Sequence, residues 1–266
     1  MINVRADSVS AQIGQIQQKE DNLFEKLASG KKVNSALDDA AAQQIIDRLT
    51  TQVEGNRQAI NNVYDGISVA QIAEGGLSTI NDDVNRIREL TLQSGSGILN
   101  DSDRRAIQSE ITQLQENIVQ SIEQTNFAGK SLLLDAGSHE FQTGANANQS
   151  ISVNTQDVAA QLNDVLTIDI TSGTSVEDAL NAADSALESI GGARGEFGAS
   201  LNRLESTARS LIKGNVSAAE ARSRIESVDY AQAVSERTIN DIRSQASLTV
   251  QAQANQQQSQ VLSLLS

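Results

Sequence analysis

The chain has 266 residues, enough for one large domain or two ordinary ones, and its composition excludes more than its length does. With no Pro, Cys or Trp and only six aromatic residues, it argues against a compact enzyme interior. The composition favours long helices packed through Ala, Val, Ile and Leu. A formal net charge of -14 disfavours nucleic acid and anionic membranes as partners, and the absence of cysteine rules out disulfides and thiolate metal sites.

Taken in chain order, the opening "MINVRADSVSAQIG" lacks the basic flank and apolar run of a secretory signal, and no window approaches about 18 consecutive apolar residues. The expectation is a soluble chain that, if exported, leaves without a cleaved signal peptide. Val9, Ile13, Ile16, Leu23 and Leu27 then fall at helical spacing, with Glu20 at one apolar position and a stop at Gly30. Asp38 and Asp39 suit the first turn of a second helix. Its seam runs Leu49, Val53, Asn56, Ile60, Val63, Ile67, Ala70, Glu74 and Leu77, and continues through Ile80, Val84 and Ile87 after a slip in register. That heptad pattern predicts a helix over 39–93, roughly 80 Å long at about 1.5 Å per residue. Gly55, Gly66, Gly75 and Gly76 each cost it about 1 kcal/mol relative to alanine, which packing has to offset.

"SGSGILNDSD" reads as a turn, and Ile107, Ile111, Leu114, Ile118 and Ile122 predict a third helix ending near "TNFAGK". "EFQTGANANQSISV" alternates apolar and polar residues about a Gly/Asn turn and predicts a β-hairpin, with "VLTIDIT" a candidate further strand. A capping box is predicted at Thr174 to Glu177. Beyond it, Leu180, Ala183, Leu187, Ile190, Arg194, Phe197, Leu201, Leu204, Ala208 and Leu211 form a seam in which Arg194 alone is not apolar. "KGNV" reads as a turn and Ser217 to Glu220 as another capping box. Ile225, Val228, Ala231 and Val234 open a last helix, whose stripe continues through Ile239, Ile242, Ala246, Val250, Ala254, Val261 and Leu265. The fold class expected is mainly α: a long antiparallel helical bundle or coiled coil in which the N-terminal half pairs with the C-terminal half, with a small β-hairpin region in the middle.

Catalytic chemistry finds no support. The sole histidine, His139, falls in a predicted loop beside the hairpin. Asp38/Asp39 and Asp82/Asp83 are adjacent in predicted helices, so their side chains diverge by about 100°. "GGARGEFG" lacks the Lys-Ser/Thr ending of a phosphate loop and reads as a close-packing or hinge site in a helix. No metal, cofactor or catalytic residue is assigned. The unusual feature is the end of the chain: every residue from Ser244 to Ser266 is uncharged. Ordering that segment costs more backbone entropy than burying its few apolar side chains returns, so it is expected to order only against several neighbours at once, the N-terminal helix first among them.

Six blocks, "LASGKKVNSALDDAAAQQI", "NVYDGISVAQIAEGGLSTINDDVNRIRELTLQS", "TNFAGKSLL", "FQTGANANQSISV", "ARSRIESVDYAQAVSE" and "QAQANQQQSQVLSLL", resemble bacterial flagellin, in a short form without large outer domains. The resemblance implies the structural subunit of the hollow flagellar filament used for swimming, and no enzyme. Residues 1–40 and 227–266 would form the terminal coiled-coil domain of the filament's inner core. Residues 41–226 would form a helical rod domain, with the hairpin region at about 131–173. The resemblance further implies export in unfolded form through the flagellar type III channel, a cytoplasmic chaperone on the C-terminal segment, hook-associated and cap proteins as partners, and an extracellular location.

The polymerisation set expected from the two stripes is Ile13, Ile16, Leu23 and Leu27 with Ile242, Ala246, Val250, Val261, Leu262 and Leu265. "NRIREL" matches a motif of members recognised by the vertebrate innate flagellin receptor, which places Arg86, Glu89 and Leu90 in a receptor or axial contact. The acidic residue of the next helix falls nearest to Asn117, with Glu116 one position away. The other reading is a hook-filament junction protein or a type III secretion tip component, capped at low copy number instead of polymerising.

Overall fold

A computed structural model describes the backbone of residues 2–172 and 174–265 and the side chains of residues 11, 13–172, 174–257 and 260. Three helices come first: α1 (Ile2–Ser29), α2 (Ala40–Ser94) and α3 (Asp101–Gln124). Two antiparallel strand pairs follow, β1 (Asn126–Phe127) with β2 (Lys130–Ser131) and β3 (Gly137–Gln142) with β4 (Ser150–Thr155). Two single-turn helices, α4 (Val158–Gln161) and α5 (Asn163–Leu166), lead to the long α6 (Val176–Glu226) and α7 (Tyr230–Leu265). The chain divides into two compact units, Met1–Gln52 with Ser217–Ser266, and Val53–Val216.

In the second unit the two predicted seams meet. On α2 the buried positions are Val63, Val69, Ala70, Ala73, Leu77, Ile80, Val84, Ile87 and Leu90, and on α6 they are Ala179, Ala183, Ala186, Ile190, Ala193, Phe197, Leu204 and Ala208. The helices run antiparallel: Arg88 Nε meets Asp184 Oδ1 at 2.6 Å, and further along Arg194 Nη2 lies 3.8 Å from Glu74 Oε1. Glu74 and Arg194 are the charged members of the two seams, so the opposite-charge pair falls at matching register. Both are partly exposed, and such a pair contributes little to stability while disfavouring a shifted register. Small residues let the backbones approach: a Cβ on Gly66 would press on the Phe141 ring, and one on Gly76 would collide with the Thr125 side chain.

Helix α3 adds Ile107, Ile111, Ile118 and Ile122 to this core and begins with a capping box. Asn100 Oδ1 accepts from the Ser102 and Asp103 amides, and the Asp103 carboxylate accepts from the Asn100 amide. The predicted hairpin is β3–β4, with His139 opposite Val153 and Phe141 opposite Ile151. His139 therefore lies on a strand and not in a loop. A second, tighter hairpin at β1–β2 turns on Ala128 and Gly129, both at positive φ, as a two-residue turn with right-handed strand twist requires.

Five local expectations need correction. "VLTIDIT" is no strand: Val165 and Leu166 are in α5, and Val165, Ile168 and Ile170 are buried. Three of its backbone groups bond to side chains of α3. The Gln115 amide donates to the carbonyls of Val165 and Ile168 at 2.9 and 3.1 Å, and the Ile170 amide donates to Gln108 Oε1 at 2.9 Å. The cap of α6 is Ser175 with Asp178, one residue later than expected, their side chains and the Asp178 amide mutually bonded. "KGNV" does not turn, because α6 runs unbroken to Glu226. Ile225 thus ends α6, Val228 lies in the break, and α7 opens with Ala231 and Val234. The glycines of "GGARGEFG" are not close-packing sites, since a Cβ on any of them would meet nothing within 4 Å. Asp38 and Asp39 precede α2 instead of sitting in its first turn, and Asp39 caps it through the Ala41 and Ala42 amides.

Neighbouring glycines of α2 give a paired test. Gly75 faces open space, so Gly75→Ala is expected to stabilise the chain by about 0.5–1 kcal/mol through helix propensity. Gly76→Ala is expected to destabilise it, because Thr125 is buried and its hydroxyl is tied to the Ser121 carbonyl at 2.6 Å. Urea midpoints of the two variants should move in opposite directions. Movement in the same direction would contradict the packing.

Candidate assembly interface

The first unit brings the start and end of the chain together. Helix α1 stops at Ser29 because Gly30 takes a positive φ of 70°, which frees its carbonyl to accept the Val228 amide at 3.1 Å. The Lys32 amide donates to the Glu226 carbonyl at 2.6 Å, and Lys31 Nζ reaches Glu226 Oε1 at 2.6 Å. Asp229 caps α7 by accepting from the Ala231 and Gln232 amides, and the Tyr230 hydroxyl donates to the Leu27 carbonyl at 3.0 Å. From this tie α7 packs back along α1.

The two helices meet unequally. On α1 the predicted stripe does turn inward, with Ile16 buried and Ile13, Leu23 and Leu27 half-buried. Glu20 shares that seam, and its Oε1 is buried without a hydrogen-bond partner. On α7 the residues that lose exposure are Ala233, Asn240, Ser244, Ser247 and Gln251, spaced seven, four, three and four apart. They form a heptad seam of small and polar side chains. The apolar stripe expected to pack lies about one residue, or 100°, around the helix. Ile242 is 61% exposed and Val250 57%, with Ile239, Ala246 and Leu248 also exposed. Phe24 of α1 stands open as well, with Arg237 of α7 5.9 Å above its ring.

This inner seam was missed because a search for apolar periodicity passes over Asn and Ser. Its signal was the heptad spacing of Asn240, Ser244, Ser247 and Gln251 within the uncharged segment. Val261, Leu262 and Leu265 of the expected set, and Val9, lie outside the residues whose side chains are described.

In the second unit Arg86 and Glu89 are exposed, but Leu90 is 2% exposed and belongs to the core. The Arg86 guanidinium is held by Glu110, at 2.7 and 3.0 Å, and by Glu89 at 3.1 Å, which raises its pKa. Glu116 lies exposed further along α3. Charge is unevenly spread. Val53–Val216 holds ten of the 20 basic and 22 of the 34 acidic residues, leaving that unit at -12 and the remainder of the chain at -2. Among the described residues, no cluster of three or more His, Cys, Asp or Glu could hold a metal ion, and no helix is long and apolar enough to cross a membrane.

Two families of structural protein segments match the chain, one at each end. Residues 2–138 match the family model for the bacterial flagellin N-terminal helical region, and residues 180–265 the model for the bacterial flagellin C-terminal helical region. The chain belongs to the bacterial flagellin family. It is 37% identical over 245 residues to flagellin of Halalkalibacterium halodurans, covering 91% of this chain and 90% of that one. Flagellin of Bacillus subtilis is 36% identical over 277 residues, covering 91% of each chain. Among solved structures, Bacillus cereus flagellin superposes with a TM-score of 0.52 at 24% identity, over 57% of this chain and 88% of that chain, a likeness of fold. The family is structural and builds the extracellular flagellar filament.

The weak inner seam yields a direct expectation. Glu20→Leu removes a carboxylate oxygen that is buried without a partner, and should stabilise the α1–α7 pair of the isolated chain by about 1 kcal/mol. The measurement is amide exchange across α7, which should slow several-fold. Faster exchange would show that Glu20 supports the pairing.

Proposed function

We propose that this chain polymerises into the hollow helical filament of the bacterial flagellum and serves swimming motility. The observation that carries the reading is the exposed stripe Ile239, Ile242, Ala246 and Val250 on a helix whose inner seam is polar. A lone molecule gains nothing from such a stripe, whereas neighbours in a polymer exclude water from it. Residues 1–40 and 227–266 form the inner core, and 41–226 the surrounding rod. Ile13, Ile16, Leu23 and Leu27 hold the pair together from the α1 side. Ile242, Ala246 and Val250, with Val261, Leu262 and Leu265 further along, make the contacts between copies. Dissimilar surfaces joined head-to-tail generate an open helical polymer when the rotation between copies does not close a ring.

Export through the flagellar type III route, a chaperone on the C-terminal segment, and contacts with hook-associated and cap proteins follow from the same reading. Identity to flagellins over both terminal regions favours the filament subunit over a junction or tip protein. Arg86 and Glu89 are exposed on α2 and make contacts between stacked copies in this reading, with the guanidinium already paired to Glu110 and Glu89.

Ile242→Asp and Val250→Asp place charge where the single chain is already exposed, so the helicity of the monomer should not change. Each loses the burial of a large apolar side chain, about 1.5–3 kcal/mol, so the critical concentration for polymerisation should rise tenfold or more. Sedimentation of seeded samples reads this, and unchanged polymer yield would contradict the interface. Deleting residues 244–266 should leave a largely helical, soluble chain that forms no filaments. Because the repulsion is concentrated in the acidic unit, added salt should promote assembly, as light scattering across ionic strength would report.

A further inference from the structure

The first unit contains two breaks in its helices, and they lie against each other. The chain leaves helix over 30–39, between α1 and α2, and again over 227–229, between α6 and α7. The breaks meet in one antiparallel bridge, Lys31 opposite Ser227. Non-helical residues at the end of an element absorb changes in φ and ψ, so two breaks side by side form a joint about which α1 and α7 can change direction. Two main-chain bonds cross it, from the Lys32 amide to the Glu226 carbonyl and from the Val228 amide to the Gly30 carbonyl.

One acidic side chain closes this joint. Glu226 is the last residue of α6, and its Oε1 lies 2.6 Å from Lys31 Nζ in the other break. Its Oε2 lies 3.6 Å from Arg222 Nε, one turn back on α6, and Arg222 Nη1 donates to Thr50 Oγ1 of α2 at 3.5 Å. The carboxylate thus joins the α1–α2 connection to α6, and through Arg222 to α2. The Glu226 side chain is 18% exposed, less than any other acid in an ion pair among the described residues. Water and salt screen such a pair less than they screen an exposed one, so it holds its geometry at ionic strengths that suppress repulsion between acidic surfaces.

Direction matters here because a helical polymer repeats one geometry at every copy. A joint free to adopt many settings would present the stripe of Ile239, Ile242, Ala246 and Val250 in the matching orientation only part of the time, and affinity falls in proportion to that fraction. We propose that Lys31, Glu226 and Arg222 form an ionic clasp that fixes the direction in which α1 and α7 leave the joint, and that a copy enters the polymer with this clasp closed. Glu226 is then a positioning residue for assembly. This rests on the reading that the chain polymerises through its terminal helices.

The test compares full-length Lys31→Met, Glu226→Gln and the double variant with the native chain. The first readout is exchange of the Lys32 and Val228 amides in dilute monomer, with the amides of the buried Ile80 and Ile190 in the second unit as reference. The second is the critical concentration of seeded polymerisation. Each single variant should speed exchange at Lys32 and Val228 and raise the critical concentration several-fold, while Ile80 and Ile190 stay as protected as in the native chain. The double variant should do no more than the worse single variant, because the pair is already broken in either. Lys31→Arg, which keeps the charge, should restore both readouts. Unchanged exchange at the two amides, effects that add in the double variant, or no restoration by arginine would overturn the clasp, as would loss of protection at Ile80 and Ile190. Faster exchange with an unchanged critical concentration would overturn its part in assembly. Native chain that never polymerises with seeds and salt would overturn the filament reading instead, and the exchange readout would still decide whether the clasp exists.

Discussion

The structure depends on a mismatch between two faces of one helix. The face of α7 that meets α1 is made of Ala233, Asn240, Ser244, Ser247 and Gln251, whereas its apolar residues Ile239, Ile242 and Val250 point to water. Small and polar side chains bury little apolar area, so pairing within the molecule is weak compared with what the apolar stripe could contribute. A buried, unpartnered oxygen on Glu20 weakens the pair further. The helix pair is thus held chiefly at one end, by the Gly30, Lys31, Glu226, Asp229 and Tyr230 tie.

The second unit is built by the opposite rule. Seams of Ala, Val, Ile and Leu on α2 and α6 close on each other, α3 and the hairpins cover them, and the buried set includes Leu77, Ile87, Ile111, Leu133 and Phe197. This unit holds a buried apolar core of its own. It also carries nearly all the net charge, which keeps free chains apart in solution and makes association sensitive to salt. One polypeptide therefore joins an acidic unit with a large apolar core to a helix pair whose apolar stripe is exposed.

Much of this was legible in the sequence, for physical reasons that differ by element. The α2 and α6 seams could be read because long apolar heptads have one use in a proline-free chain, and even their interruptions, Glu74 and Arg194, proved to face each other. The β3–β4 hairpin could be read because strict alternation flanked a Gly/Asn turn. "VLTIDIT" misled because local propensity cannot register that Gln108 and Gln115 of α3 would take over its backbone hydrogen bonds. "KGNV" misled because one glycine costs a helix only about 1 kcal/mol, less than continuing packing returns. At the candidate interface the apolar stripe was found but its orientation was not. Periodicity identifies a face without saying whether it meets the chain's own helix or another molecule.

Amide hydrogen exchange, followed residue by residue over 11–29 and 230–257 in dilute monomer and in assembled polymer, tests the central claim most directly. An incomplete helix pair exchanges fast in the monomer while the buried stretches of α2 and α6 stay protected, and it becomes protected on assembly by a factor of a hundred or more. Equal protection of these residues in both states would show that α1 and α7 are already complete in the single chain, and would contradict the account.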